Sequence, residues 1–469
     1  MSLTDRMRLC AGIAAGKGAA GLCRLLKAGG GTNWPGKISL AIYPEILSWL
    51  SREFRLGSIM VTGTNGKTTA AKMLVHILSG LGWKISSNFT GANLLAGVTA
   101  AVVRDAGLTG RIRSDLALLE ADEASVPRLS SDIRPHAIIV TNIFSDQLDR
   151  YGELNNTAAL IGRGLAQLER DDYAFLNADD PYVAALGKAV KARVVYFGME
   201  CAYEDSNEEF KIRESRYCHD CGGYLAYKRT YYSHLGDYFC SRCGFKRPDT
   251  DFTVTGLQAR GVDGYTLRLI APHGKVEIDL KLPGFYNIYN ALAAAACAAT
   301  YGVDLSFIRD RLSTSASAFG RMEQVYIKSR QVFIVLVKNP VSLNEALHTV
   351  VEAGLAGYIM IAINDNFSDG RDISWLWDGG FEMLKHKSDA GRKILISGIR
   401  AEEMALRLKY AGVDCGSMVV EKDIAKAMDA VIFAAPEGSP VCIMCTYTAM
   451  LSLRGIMEHR GYLSRYWEA

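Results

Sequence analysis

Two groups of residues in this 469-residue chain have the types and spacing that chemistry needs. The first is Val61-Thr62-Gly63-Thr64-Asn65-Gly66-Lys67-Thr68-Thr69, which follows a β-branched run and opens a helical one. In that setting Gly63 and Gly66 let backbone N–H groups close around phosphate oxygens, and the helix N-terminus adds its dipole. Lys67 is placed to reach the β- and γ-phosphates of a nucleotide such as ATP, and Thr68 to set its hydroxyl on Mg²⁺. The usual GxxxxGK[ST] spacing is absent, because position 61 is Val.

The second group is Cys218-His-Asp-Cys221 and Cys240-Ser-Arg-Cys243, two CxxC pairs separated by 18 residues. Two such knuckles can present four thiolates around a tetrahedral Zn²⁺, leaving no open position, so the expected zinc is structural. Gly222 and Gly244 follow the second cysteine of each pair, where a tight turn needs a permissive backbone. His219 sits inside the first knuckle, but four thiolates already fill the shell. Cys442-Ile-Met-Cys445 lies within an apolar run and reads as part of a core strand, its side chains alternating between faces.

These residues need a scaffold. Between Gly57 and Gly198, strand-like runs at 58–63, 115–122, 136–142, 173–177 and 192–198 alternate with helical patterns, the signature of βαβ units and a parallel sheet. Residues 212–250 break the alternation. The segments DFTVTGL, YTLRLIA and KVEIDLKL then read as strands, and an Ala-rich helix begins at Asn287. After Gly320 a second alternation places strands at 332–337, 357–365, 393–398 and 441–447. The expected division is an N-terminal helical segment (1–52), a central nucleotide-binding domain (53–317) containing a zinc-ribbon insert (212–250), and a C-terminal Rossmann-like α/β domain (318–469).

A net charge of +3 and the lack of a basic, aromatic-studded stripe exclude an ordinary nucleic-acid binder, although 228–247 is locally basic. Scattered cysteines speak for a reducing compartment, hence a cytoplasmic protein. No apolar run is long enough to span a bilayer. The first 30 residues read as a basic amphipathic helix, with Leu9, Ile13, Leu22, Leu25 and Leu26 apolar. Packing on the body is favoured over a membrane-surface role.

The GTNGKTT wording resembles that of Mur ligases and folylpolyglutamate synthases, and further segments follow in the family's order. The resemblance implies a Mg²⁺-binding Glu120 in LLEADEAS, a TNI..D..LD segment (Asn142, Asp146, Asp149), nucleotide contacts from Asn177 and Asp180 in LNADDP, a GxxNxxNxxAA segment (Asn287, Asn290), and Arg321 in FGRME near the phosphates. Two departures stand out: Gln147 replaces a histidine, and the lysine that many relatives carbamoylate is missing. LVKNPVSLNEAL stands at 336–347 in place of the acceptor motif of amino-acid-adding members.

The four-cysteine insert, together with KNPVSLNEAL, NDNFSDGRDISWLWD, SGIRAEEMALRLKYAG and TYTAML, is similar to the Mur-ligase-type subunits of lipid II isoglutaminyl synthases. That resemblance implies ATP-dependent amidation of the α-carboxylate of D-Glu in the lipid II stem peptide, at the inner face of the membrane. It implies a GatD-like class I glutaminase as partner, with Asp372 completing that partner's triad in trans. Residues 91–93 are expected to line the substrate groove. The competing readings are a stand-alone Mur-type or folylpolyglutamate-type ligase that adds an amino acid, and a zinc-ribbon ATPase scaffold.

Overall fold

The computed structural model describes residues 2–25, 33–88, 92–144, 154–201, 215–315, 321–385 and 392–463. A first sheet begins with β1 (Ser58–Thr62), β2 (Ile85–Ser87), β3 (Leu116–Glu120), β4 (Ala137–Val140), β5 (Tyr173–Asn177) and β6 (Arg193–Met199). A separate hairpin follows, β7 (Leu225–Tyr232) and β8 (Leu235–Cys240). The chain then rejoins the sheet through β9 (Phe252–Ala259), β10 (Tyr265–Ala271) and β11 (Gly274–Leu280). The strand order is β11-β10-β9-β6-β5-β4-β1-β3-β2. Pairing is parallel from β2 to β9 and antiparallel at the β9–β10–β11 edge.

β1, β3 and β4 are buried at every position because helices cover both faces of the sheet. Ile59 and Val61 of β1 pack on one face with Leu74 and Ile77 of the helix Lys67–Ser79, and with Leu292 of the helix Tyr286–Thr300. Met60, the residue between them, points to the opposite face, among Val98, Val102 and Ile138. The connections leave β1 toward both sides of the sheet, and α/β sheets of this kind hold ligands outside the carboxyl ends of such strands. The phosphate loop, Glu120 and Asn142 all lie at those ends.

A second sheet contains β12 (Arg321–Ile327), β13 (Arg330–Leu336), β14 (Tyr358–Ala362), β15 (Lys393–Ser397), β16 (Met418–Val420) and β17 (Val441–Cys445), ordered β12-β13-β17-β14-β15-β16. It is parallel apart from β12. Cys442 and Cys445 are both fully buried, and they enter different cores on opposite faces of β17. This CxxC is a core strand, as its apolar setting implied.

The N-terminal helix Leu3–Leu25 packs against the helix Trp34–Ile42, with Leu9 and Ile13 buried and Ser39 Oγ donating to the Gly12 carbonyl at 2.9 Å. Leu22, expected on the packed face, is 56% exposed. The four-cysteine segment occupies the crossover between β6 and β9, neighbouring parallel strands that a helix would ordinarily connect.

Candidate active site and metal centre

Gly63 (φ 120°) and Gly66 (φ 87°) bend the loop after β1. Both positions exclude a side chain. A Cβ on Gly63 would lie 2.4 Å from Thr141 Oγ1, and one on Gly66 would lie 2.0 Å from Asn290 Oδ1. Neighbouring segments pin the loop from below. Thr64 N–H and Asn65 N–H donate to the carbonyl and side-chain oxygens of Asn142, each at 2.9 Å. The Thr141 hydroxyl (2.7 Å) and Asn142 Nδ2 (3.0 Å) donate to the Asn65 carbonyl.

The β1–β3 register pairs Val61 with Glu120, which brings the carboxylate of Glu120 to the Thr68 hydroxyl at 2.8 Å. The backbone of Glu120 is held from both sides by Asn88, at 2.8 Å each way. Lys67, nearly buried, donates to Glu123 Oε1 at 2.7 Å, to the Thr64 carbonyl at 3.3 Å, and to the Gly63 carbonyl. Burial opposes its charge. The Glu123 and Glu120 carboxylates outweigh that and hold the ammonium above its ordinary pKa. Burial in turn pushes the Glu123 carboxyl up, against the pull of Lys67. We hold Lys67 to be the charged member, because three acidic groups act on it.

The loop faces a cleft between the two sheets' domains, lined by Asn65, Gly66, Thr69, Tyr232, Asn290 and Ser342 among others. Both polar atoms of the Asn65 side chain, and Thr69 Oγ1, are buried there without a hydrogen-bond partner among the described residues. A buried amide left unpaired costs free energy comparable to a lost hydrogen bond, so these atoms mark a place built for a polar ligand. Together with the φ > 0 glycines and the Thr68–Glu120 pair, they fit a nucleotide's phosphates and a divalent cation. From the other domain, Lys338 Nζ reaches the Thr64 carbonyl at 3.4 Å.

Asn177 and Asp180 are fully buried and turn inward. Asn177 Nδ2 donates to the Thr141 carbonyl at 2.9 Å. Asp180 caps the helix Pro181–Leu186 and accepts from Ile143 N–H at 2.7 Å. Their geometry is that of supports under the loop, where nucleotide contact was expected. Sequence reasoning passed over Glu123, Tyr232, Lys338 and Asp179. Asp179 accepts from Arg247 Nε (2.5 Å), Tyr289 Oη (2.8 Å) and Met199 N–H (2.8 Å), tying the four-cysteine segment to the helix that carries Asn290. Asn93 contributes its carbonyl to Asp122 N–H at 3.0 Å. Asp146, Gln147, Asp149, Gly91 and the side chain of Arg321 lie outside the described residues.

The sulfurs of Cys218, Cys221, Cys240 and Cys243 all lie within 4.8 Å of one another. The Cys218–Cys243 and Cys221–Cys240 separations are 3.4 and 3.6 Å, close to the roughly 3.8 Å edge of a tetrahedron with 2.3 Å metal–sulfur bonds. Gly222 (φ 68°) and Gly244 (φ 80°) turn the knuckles, their N–H groups returning to the Cys218 and Cys240 carbonyls. Backbone N–H groups of Cys243 and Arg242 draw the Cys240 thiol down to about 7, while burial pushes the Cys218 thiol up to about 12. The donor set fits a closed metal site.

In the acidic loop after β14 the three aspartates differ. Asp365 pairs with Arg400 at 2.6 Å. Asp369 is buried and accepts from Thr448 N–H (2.7 Å) and Oγ1 (2.5 Å). Asp372 is exposed, and its Oδ1 accepts from Ser374 N–H at 2.8 Å, which holds its carboxyl below the ordinary value.

Residues 61–223 match the Mur ligase middle domain and residues 336–450 the MurT ligase C-terminal domain. The lipid II isoglutaminyl synthase (glutamine-hydrolyzing) subunit MurT of Staphylococcus aureus (strain COL) is 35% identical over 85% of this chain and 86% of its own length. The subunit of the same name from Streptococcus pneumoniae is 31% identical over 93% and 94%. The fold is similar to that of a pseudomurein peptide ligase type C from Methanothermus fervidus, with a TM-score of 0.67 and 22% identity over 88% of this chain and 80% of that one. A sheet with a nucleotide-type loop, a second α/β sheet facing it and a four-thiol crossover thus come with sequence relatives that align over most of the chain, and the chain belongs to the MurT family of Mur-ligase-type subunits.

Proposed function

We propose that this chain is the ATP-using subunit of a two-protein amidating enzyme that converts the α-carboxylate of D-Glu in the lipid II stem peptide to the D-isoglutamine amide. The observation that carries the reading is the phosphate loop with its unpartnered Asn65 amide beside the Lys67 and Thr68–Glu120 groups. The substrate carboxylate attacks the γ-phosphorus of ATP, and ADP leaves an acyl phosphate. Ammonia then attacks the acyl carbon, inorganic phosphate departs, and one proton is released. Lys67 exchanges its contact with Glu123 for phosphate oxygens and neutralises charge on the transferring group. Thr68 and Glu120 would hold Mg²⁺, which supplies further charge neutralisation. Lys338 brings the C-terminal domain to the same loop.

Ammonia is small and neutral, so the acceptor side needs no pocket for an amino acid. It would come from a GatD-like class I glutaminase, with Asp372 orienting that partner's histidine. Asp372 suits the task because it alone of the three loop aspartates is exposed and free of a cationic or buried tie. The four cysteines would hold one structural Zn²⁺. Work on lipid II would take place at the inner membrane surface. The two separate sheets, spanning 58–280 and 321–445, support a division into domains at 53–317 and 318–469. The test is amidation of lipid II with ATP and either glutamine or ammonium, with and without the partner. Incorporation of an amino acid in place of ammonia would overturn the reading in favour of a stand-alone ligase.

A further inference from the structure

We propose that the four-cysteine hairpin is a wall of the nucleotide cleft, so that metal occupancy at the knuckles and nucleotide affinity are linked through Tyr232. The proposal rests on the nucleotide and zinc assignments above.

The knuckles cap one end of the β7–β8 hairpin, and its turn, Ser233 and His234, lies at the other. That turn is buried deep in the central domain. His234 and Leu235 are fully buried, and Ser233 takes a left-handed conformation (φ 51°) to make the turn. Gly236 N–H donates to the Asp179 carbonyl at 2.9 Å, and Tyr238 Oη to the Ala178 carbonyl at 3.2 Å. The hairpin is thereby stitched to the segment that supports the loop.

Contact passes onward through Phe144. Its ring meets Tyr232 edge-on at 5.3 Å and His234 at 4.7 Å. Its backbone exchanges hydrogen bonds with the Thr64 hydroxyl, at 3.0 and 3.2 Å. Tyr232 also lines the cleft in company with the unpartnered Asn65 amide and Thr69 hydroxyl. The same residue therefore props the phosphate loop from behind and faces the space that the nucleotide would fill. Metal binding fixes the hairpin's open end, and a fixed hairpin holds Tyr232 in place. By reciprocity, a nucleotide that favours the placed Tyr232 must favour metal retention by the same factor. Tyr232 is a positioning residue in this scheme, acting on Thr64 through Phe144.

The test measures the zinc affinity of the full-length protein by equilibrium competition with a chelating dye, with and without a saturating non-hydrolysable ATP analogue, alongside calorimetric affinity for that analogue. The analogue should tighten zinc binding several-fold in the wild type. Tyr232→Ala should retain one zinc as purified, bind the analogue about tenfold more weakly, and show the same zinc affinity at saturating analogue as without it. Tyr232→Phe, which keeps the ring on Phe144, should restore both effects. A wild type that binds the analogue without any change in zinc affinity would overturn the linkage and leave the nucleotide assignment standing. A wild type that does not bind the analogue would overturn the nucleotide assignment itself. Unchanged analogue affinity in Tyr232→Ala would remove Tyr232 from the site.

Discussion

Replacing Asp179 by Asn should be among the most damaging single-atom changes available in the central domain. The carboxylate is fully buried, with one oxygen on Arg247 and the other shared by the Tyr289 hydroxyl and Met199 N–H. Asn preserves the volume and one acceptor but leaves the guanidinium, 8% exposed, without its principal counter-charge. Removing one partner of a buried pair costs about 3–5 kcal/mol. Arg247 keeps a weaker contact with Glu200 at 3.5 Å, half exposed, which places the expectation near the lower figure. For a domain of this size that is a fall in Tm of roughly 6–12 °C. Thermal unfolding followed by far-ultraviolet circular dichroism reads it. The double variant Asp179→Asn/Arg247→Met removes the stranded charge and should recover more than half of the loss. A single variant within about 0.5 kcal/mol of wild type, a change typical of an exposed site, would refute the buried-pair argument. So would a double variant no better than the single one.

Four further outcomes are expected. Asp372→Asn should abolish glutamine-dependent amidation, by up to about 10⁴-fold if it orients a triad histidine, while ammonium-dependent amidation and complex formation persist. Asp369 is no silent control for that experiment, since it staples the loop to Thr448; Asp369→Asn should lower thermal stability. Gly66→Ala should weaken binding of an ATP analogue at least tenfold, because the left-handed backbone costs about 1–2 kcal/mol there and the new methyl meets Asn290. Cys218→Ser should yield little soluble protein and less than one zinc per chain in what is recovered, since a structural zinc contributes on the order of 10 kcal/mol to so small a site.

The parallel strands were legible because burial on both faces turns each into a short, continuous apolar run, as at 137–140 and 173–177. β2, with only Ile85-Ser-Ser, and β16, with Met-Val-Val on an edge, have too few residues to carry a period. β7 reads LAYKRTYY, a polar composition suited to a hairpin whose stability comes from a metal at one end and an aromatic plug at the other. In the site, Lys67 and Thr68 were legible because their spacing within one loop is the chemistry, whereas Glu120, 52 residues from Thr68, was reached only through the family resemblance. Glu123, Asp179 and Tyr232 were not, because each acts across a distance in sequence of 56, 68 and 88 residues respectively, and nothing local in the chain announces the partner. Asn177 and Asp180 show the converse. Their segment was recognised, but burial gives their side chains a supporting task.

The position of the four-cysteine segment also bears on how fast the chain can fold. β6 and β9 are neighbours in the sheet, yet the chain between them runs from residue 200 to residue 251 before the pairing of Phe197 with Phe252 can form. Closing a loop of that length carries an entropy penalty that grows with the logarithm of its contour. A metal gripping residues 218 to 243 short-circuits roughly half of the contour, and each halving is worth about 0.6 kcal/mol, or close to threefold in the closure rate. Metal capture before sheet completion would therefore shorten the search by a modest factor, and the greater part of its effect would fall after folding, on the lifetime of the hairpin.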